Sequence, residues 1–261
     1  MKKEIIKNRE NENIVVLIDK TEKPNGLIFV MHGLGGFKEQ PHIETISQCF
    51  KDNNFTVLRF DATDSTGESD GNLENATTTN YYQDLEDVIK WAQVQDFYIE
   101  PFWLAGHSVG SLCVALFTLN HPEKVKAVAP ISAVVSGKLF IQTEEMKPIL
   151  ENWKETRIRE WESSTQPGLI KRLKYDFIED VLNYDLLKDA HKINCPVLMI
   201  VGERDITTPF EHQKKLFDTL RAKKELHIIK GSKHTFKEES NLKELRVLVG
   251  EWIKKNVNLL G

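Results

Sequence analysis

The chain has 261 residues, 40% of them apolar and 28% charged. That fits one α/β domain with an insertion, or at most two small domains, and is enough to bury a core without disulfide or metal staples. A net charge of -4 argues against a nucleic-acid or anionic-membrane partner. Cys49, Cys113 and Cys195 are odd in number and widely spaced, so they form neither a disulfide framework nor a metal-ligand pattern.

The opening Met1-Lys2-Lys3-Glu4 lacks an apolar run after its lysines, so no secretory signal is expected. No stretch approaches the ~18–20 apolar residues that span a bilayer. The expected location is the cytoplasm. Strands are predicted at Ile14–Ile18, Leu27–Met31 and Thr56–Phe60, several of them continuously apolar as in a sheet buried on both faces. Tyr81–Val94 carries Leu85, Val88, Ile89 and Ala92 at helical spacing, with Asn80 placed to cap it. A strand at Phe102–Ala105 runs through a turn at Ser108 into a buried helix that ends before His121-Pro122, and Val125–Ala129 is the next strand.

From about Ser136 to Lys192 the alternation stops. Helical patterns dominate at Ile149–Trp161 and Leu169–Leu187, and the segment is too long for a loop. It reads as a helical insertion, 136–192, between the sixth and seventh strands of a core formed by 1–135 and 193–261. Beyond it come a strand at Val197–Val201, a capping box Thr208-Pro209-Phe210-Glu211 opening a helix to about Leu220, a strand at Leu226–Ile229 and a last helix from Glu238 to Lys255. Short strands alternating with helices predict a mostly parallel α/β sheet of about eight strands with helices on both faces.

Two stretches spell G-x-S-x-G, and the motif carries chemistry only as strand, tight turn, helix. Gly106-His107-Ser108-Val109-Gly110 has an apolar run on each side, whereas Gly67-Glu68-Ser69-Asp70-Gly71 lies in polar sequence. Ser108 is therefore the candidate nucleophile. A serine hydroxyl needs a general base, and the base needs a carboxylate to hold its tautomer. In strand-turn-helix hydrolases the order is serine, acid, histidine. Asp205 follows the strand Val197–Val201. Glu203 competes but lies nearer the strand end, and the preceding strand ends in Ala129-Pro130-Ile131-Ser132 without a carboxylate. Of the eight histidines, His234 alone lies on a loop after the last strand. The amide of Val109 and that of Leu34, in the glycine-rich His32-Gly33-Leu34-Gly35-Gly36, are the expected oxyanion donors.

Met31-His32-Gly33-Leu34-Gly35-Gly36, Gly106-His107-Ser108-Val109-Gly110, Gly202-Glu203-Arg204-Asp205 and Gly231-Ser232-Lys233-His234-Thr235-Phe236 together resemble the alpha/beta-hydrolase superfamily. The likeness is to its small cytosolic esterases: cinnamoyl (feruloyl) esterases, monoacylglycerol lipases and serine aminopeptidase-like hydrolases. It implies a Ser108–Asp205–His234 triad with the Leu34 and Val109 amides as oxyanion hole. His32 would orient the oxyanion loop, His107 would pack beneath the turn at Ser108, and the insertion would be a lid. Candidates to line the substrate pocket are Gly33, His107, Trp153, Trp161 and Tyr175. Two departures stand out. Arg59-Phe60-Asp61 continues as Ala62-Thr63-Asp64-Ser65-Thr66-Gly67-Glu68-Ser69, where relatives often run into Gly-His-Gly-x-Ser, and Ser111 stands where relatives often have glycine.

The implied activity is hydrolysis of small carboxylic esters, short acyl or aryl, through an acyl-enzyme, with no metal and no organic cofactor. The expected partner is a small-molecule ester, not nucleic acid or membrane, and a homodimer is left open. A thioesterase, a monoacylglycerol lipase, an aminopeptidase-like hydrolase or an acyltransferase would use the same residues. A non-catalytic binder on this scaffold would show erosion of the triad or of the oxyanion glycines, and all are present.

Overall fold

The computed structural model describes residues 1–163 and 167–257, so 164–166 of the predicted insertion and the last four residues, 258–261, of the predicted core lie outside the described residues. Eight strands form the main sheet: β1 (Lys2–Lys7), β2 (Asn13–Asp19), β3 (Leu27–Met31), β4 (Thr56–Phe60), β5 (Phe102–His107), β6 (Val125–Ile131), β9 (Val197–Gly202) and β10 (Lys224–Ile229). Their spatial order is β1-β2-β4-β3-β5-β6-β9-β10. β1 pairs antiparallel with β2 and β2 antiparallel with β4, while all later pairs are parallel. This is the α/β-hydrolase fold.

Parallel neighbours need crossover helices, and these cover both faces of the sheet. Along β3, Ile28 and Val30 point to one core with Trp103, Trp252 and Ile253, and Leu27, Phe29 and Met31 point to the other. The first core is closed by α1 (Pro41–Asp52) and α8 (Glu239–Val257), which pack against each other. The second is closed by α2 (Thr78–Ala92) and α3 (Val109–Asn120). Near-total burial on both sides explains why these strands read as unbroken apolar runs. Helix α7 (Phe210–Thr219) lies between β9 and β10.

Two local expectations are corrected, and one strand is added. Helix α2 starts three residues early, and Thr77 caps it by accepting the Asn80 amide at 3.0 Å, so Asn80 is inside the helix. Helix α7 has Pro209 as its N-cap with no side-chain cap bond; the Thr208 hydroxyl is used elsewhere, as described below. β1 was not foreseen. Lys2–Lys7 carries too little apolar sequence to read as a strand and is held as an edge by its ladder to β2, with lysines that block further pairing.

The segment between β6 and β9 is also less helical than its sequence suggests. It contains α4 (Gly137–Phe140), α5 (Leu150–Thr156) and α6 (Asp176–Val181). Between α5 and α6 it forms a β-hairpin of β7 (Ile158–Glu162) and β8 (Ile170–Lys174), paired antiparallel. Arg157 ends α5 in a left-handed conformation, φ 62°, and turns the chain into β7. Within β8 the side chains alternate between solvent and interior, so Lys171 and Leu173 share the inner face. Among the described residues no helix is long and apolar enough to cross a membrane.

Candidate active site

β5 delivers Ser108 at the carboxyl end of the sheet, and α3 starts at the next residue. Ser108 has φ 57° and ψ -118°, a conformation that costs a non-glycine residue ~1–3 kcal/mol and persists only where the surroundings enforce it. Two glycines do so. A β-carbon on Gly106 would lie 2.4 Å from the Gly110 carbonyl, and one on Gly110 would lie 2.3 Å from the His32 carbonyl. Ser111 adds a further tie, its hydroxyl oxygen lying 2.6 Å from the Gly106 carbonyl and 2.7 Å from the Ile131 carbonyl, which share its one proton. The departure from glycine at 111 thus stitches the turn to β6.

Ser69, the other G-x-S-x-G serine, occupies no such turn. Its hydroxyl donates to the Asp61 carbonyl at 2.7 Å and accepts the Val15 amide at 2.9 Å. The surrounding loop is anchored by Asp61, which pairs with the buried Lys38 at 2.7 Å. Ser69 is a structural tie within that loop.

The loop after β9 carries Asp205, 4% exposed. One carboxylate oxygen accepts the amides of Thr207 and Thr208 at 3.0 and 2.8 Å; the other accepts the Thr208 hydroxyl at 2.9 Å and meets His234 Nδ1 at 2.8 Å. Burial alone would raise the Asp205 pKa. The His234 imidazole and the Thr208 bonds outweigh it and hold it down at about 2. Burial likewise pulls the His234 pKa down, but the charge of Asp205 and its hydrogen bond outweigh that and set it above its ordinary value. With Nδ1–H committed to Asp205, Nε2 is the basic nitrogen of neutral His234. Ser108 and His234 both line one cavity of about 970 Å³.

Two further histidines are buried beneath. His107 Nε2 donates to the His234 carbonyl at 2.8 Å, and its ring lies 4.7 Å from that of His234 and 4.3 Å from that of His42. Burial lowers the pKa of both His42 and His107. His32 Nε2 accepts the Ala62 amide at 3.0 Å, so its Nδ1–H donates to the Gly33 carbonyl at 2.8 Å. Burial depresses its pKa too. It therefore braces the glycine-rich loop as a neutral side chain.

In that loop a turn closed by the Gly36 amide on the Gly33 carbonyl, 2.9 Å, leaves the Leu34 amide outside its hydrogen bond. Val109, first residue of α3, has an amide with no intrahelical acceptor. Both residues line the cavity with Ser108. The arrangement gathers a strained serine, an imidazole tied to a carboxylate and two candidate backbone donors around one space, the kinds of group that acyl transfer uses.

Of the expected pocket residues, Gly33, His107, Trp153 and Trp161 line the cavity. Tyr175 does not: it packs edge-on behind Trp153 at 6.0 Å, with the Arg157 guanidinium 5.0 Å from its ring. Residues the sequence reading missed include Thr208 and the hairpin side chains Arg159 and Lys171. Arg159 lies 4.8 Å from the Trp161 ring and 3.1 Å from Glu145. Period-two alternation in Ile170–Lys174 was the available signal for Lys171.

The prolyl oligopeptidase family model matches residues 41–259, most of the chain. The chain belongs to the prolyl oligopeptidase family. This family membership and the fold make the protein a serine hydrolase of the α/β-hydrolase fold. It is similar to mitochondrial palmitoyl-protein thioesterase ABHD10 of Bos taurus, 24% identical over 237 residues covering 89% of this chain and 74% of the relative. The mouse counterpart is 25% identical over 89% of this chain and 76% of its own length. Among solved structures, Est1E from Butyrivibrio proteoclasticus with bound ferulic acid superposes with a TM-score of 0.80 at 21% identity, covering 97% of this chain and 98% of that one. Mouse alpha/beta hydrolase domain-containing protein 10 gives 0.76 at 22% identity, covering 98% and 99%.

Proposed function

We propose that the protein is a serine carboxylesterase acting on small esters, with Ser108, His234 and Asp205 as its triad and the Leu34 and Val109 amides as its oxyanion hole. The observation that carries this reading is the Asp205–His234 pair, 2.8 Å apart, facing a cavity shared with the strained Ser108. In this reading the described residues of the insertion form a lid, since Trp153, Trp161 and Leu173 line the cavity. The cavity size and its mixed apolar and polar lining suit a small organic ester.

The Ser108 oxygen attacks the ester carbonyl carbon while His234 Nε2 takes its proton. Asp205 stabilises the imidazolium, and the two amides hold the oxyanion. Collapse breaks the bond to the alcohol, which leaves with the proton from His234. A water then gives a proton to His234 and attacks the acyl carbon; collapse of that intermediate frees the acid and returns the proton to Ser108. The likeness to a palmitoyl-protein thioesterase over most of the chain favours thioesters as the second reading, with a thiolate leaving in place of the alcohol.

A panel of nitrophenyl and aryl esters of graded acyl length, run beside matched acyl thioesters and Ser108→Ala, tests both. The expected result is Ser108-dependent turnover that is highest for short acyl or aryl esters. Faster turnover of long-chain thioesters selects the second reading. Turnover of neither by folded protein defeats both.

A further inference from the structure

Lys171 takes no part in the chemistry described above, yet it faces the cavity from the inner side of β8 and is 8% exposed. Its ammonium donates to the Gly35 carbonyl at 2.6 Å. A buried cation is costly unless an anion meets it. Among the described residues, no carboxylate lies within ion-pairing distance of Lys171. The molecule's other deeply buried lysine shows the usual solution: Lys38 is held by Asp61 at 2.7 Å and Glu68 at 2.6 Å. The charge that acts on Lys171 is a second cation, Lys237, which also lines the cavity. Burial, with that repulsion, brings the Lys171 pKa down to about 8, so the side chain is still mostly charged at neutral pH. Two acids line the cavity: Glu145 is already engaged by Arg159 at 3.1 Å and by the Thr207 hydroxyl, and Glu238 forms no ion pair with Lys171.

Gly35 directly follows Leu34. The ammonium on its carbonyl therefore sits within roughly 8 Å, about two Cα spacings, of the oxyanion donor. We propose that Lys171 is a specificity-determining residue that binds a carboxylate carried by the ester substrate a few bonds from the scissile carbonyl. This rests on the esterase reading. In the absence of substrate the Gly35 carbonyl partly solvates the ammonium; the substrate carboxylate completes its coordination with a charge-assisted bond.

Two matched ester pairs test the inference. Mono-p-nitrophenyl adipate against p-nitrophenyl heptanoate places the carboxylate on the acyl side; 4-acetoxybenzoate against 4-methylphenyl acetate places it on the alcohol side. For at least one pair the wild-type kcat/KM is expected to favour the anionic ester by about tenfold or more, as a charge-assisted hydrogen bond supplies. The ratio is expected to fall toward unity in Lys171→Met, which removes the charge, and in Lys171→Gln, which keeps a donor for Gly35. A role confined to bracing the loop would lower both members of a pair alike and leave the ratio unchanged, which overturns the inference. A wild-type ratio at or below unity in both pairs overturns it without any variant. Absence of Ser108-dependent turnover of all four esters instead marks failure of the esterase reading itself.

Discussion

Ser108 holds a left-handed backbone because Gly106 and Gly110 allow the strand and helix to approach within contact distance. Ser108 and Val109, the first residue of α3, both line the cavity. In the proposed triad Asp205 acts through His234, which it meets at 2.8 Å. Its charge, not its proton, is what matters, because its pKa is held at about 2 and it stays ionised across the physiological range. Asp205→Asn is therefore expected to lower kcat by about 10⁴-fold, the size of effect seen when a triad carboxylate is neutralised. The His234 pKa is raised by Asp205 against the effect of burial. Wild-type kcat/KM should fall as pH drops through a value above the ordinary 6.5, because only neutral His234 accepts the serine proton. In Asp205→Asn that inflection should move to lower pH. A pH–rate profile checks both, and an inflection that stays in place would contradict the coupling.

At the scale of elements, the central strands and the α2, α3, α7 and α8 segments were legible because burial on both faces leaves unbroken apolar runs or clear helical periods. The strand ends that carry Ser108, Asp205 and His234 were legible for the same reason. β1 and the β7–β8 hairpin were not. Their stability comes from ladder pairing, and their charged residues mask the alternation. Reading Leu169–Leu187 as one helix hid the fact that Lys171 and Leu173 lie on one face. The capping box at Thr208 does not form because the Thr208 hydroxyl is held by Asp205 at 2.9 Å. The hairpin carries its own stability prediction. The folded Lys171 pKa of about 8 lies below the ordinary 10.5, so between those values the folded chain binds fewer protons than the unfolded one. Stability then rises with pH through that window and carries a steady penalty below it. Lys171→Met should raise the unfolding free energy at pH 7 by about 1–3 kcal/mol, with the gain shrinking toward pH 10. Denaturant titrations at both pH values measure it, and a loss at pH 7 would contradict the account.

Across the whole molecule, two apolar cores on either side of one sheet carry the fold, and no covalent staple is involved. Cys49, Cys113 and Cys195 are free and buried in different places, and burial pushes each thiol pKa up, to about 12 for Cys49 and Cys195. A colourimetric thiol reagent should find essentially no reactive thiol in the native protein and three after denaturation, and reductant should leave Tm unchanged. A native thiol that reacts at once would contradict the packing.

The proposed nucleophile is Ser108, and not the second G-x-S-x-G serine. The direct measurement is labelling of the native protein with a fluorophosphonate, followed by peptide mass mapping. One adduct is expected, on Ser108, lost in Ser108→Ala and retained in Ser69→Ala. An adduct on Ser69, or none on the folded protein, would contradict it.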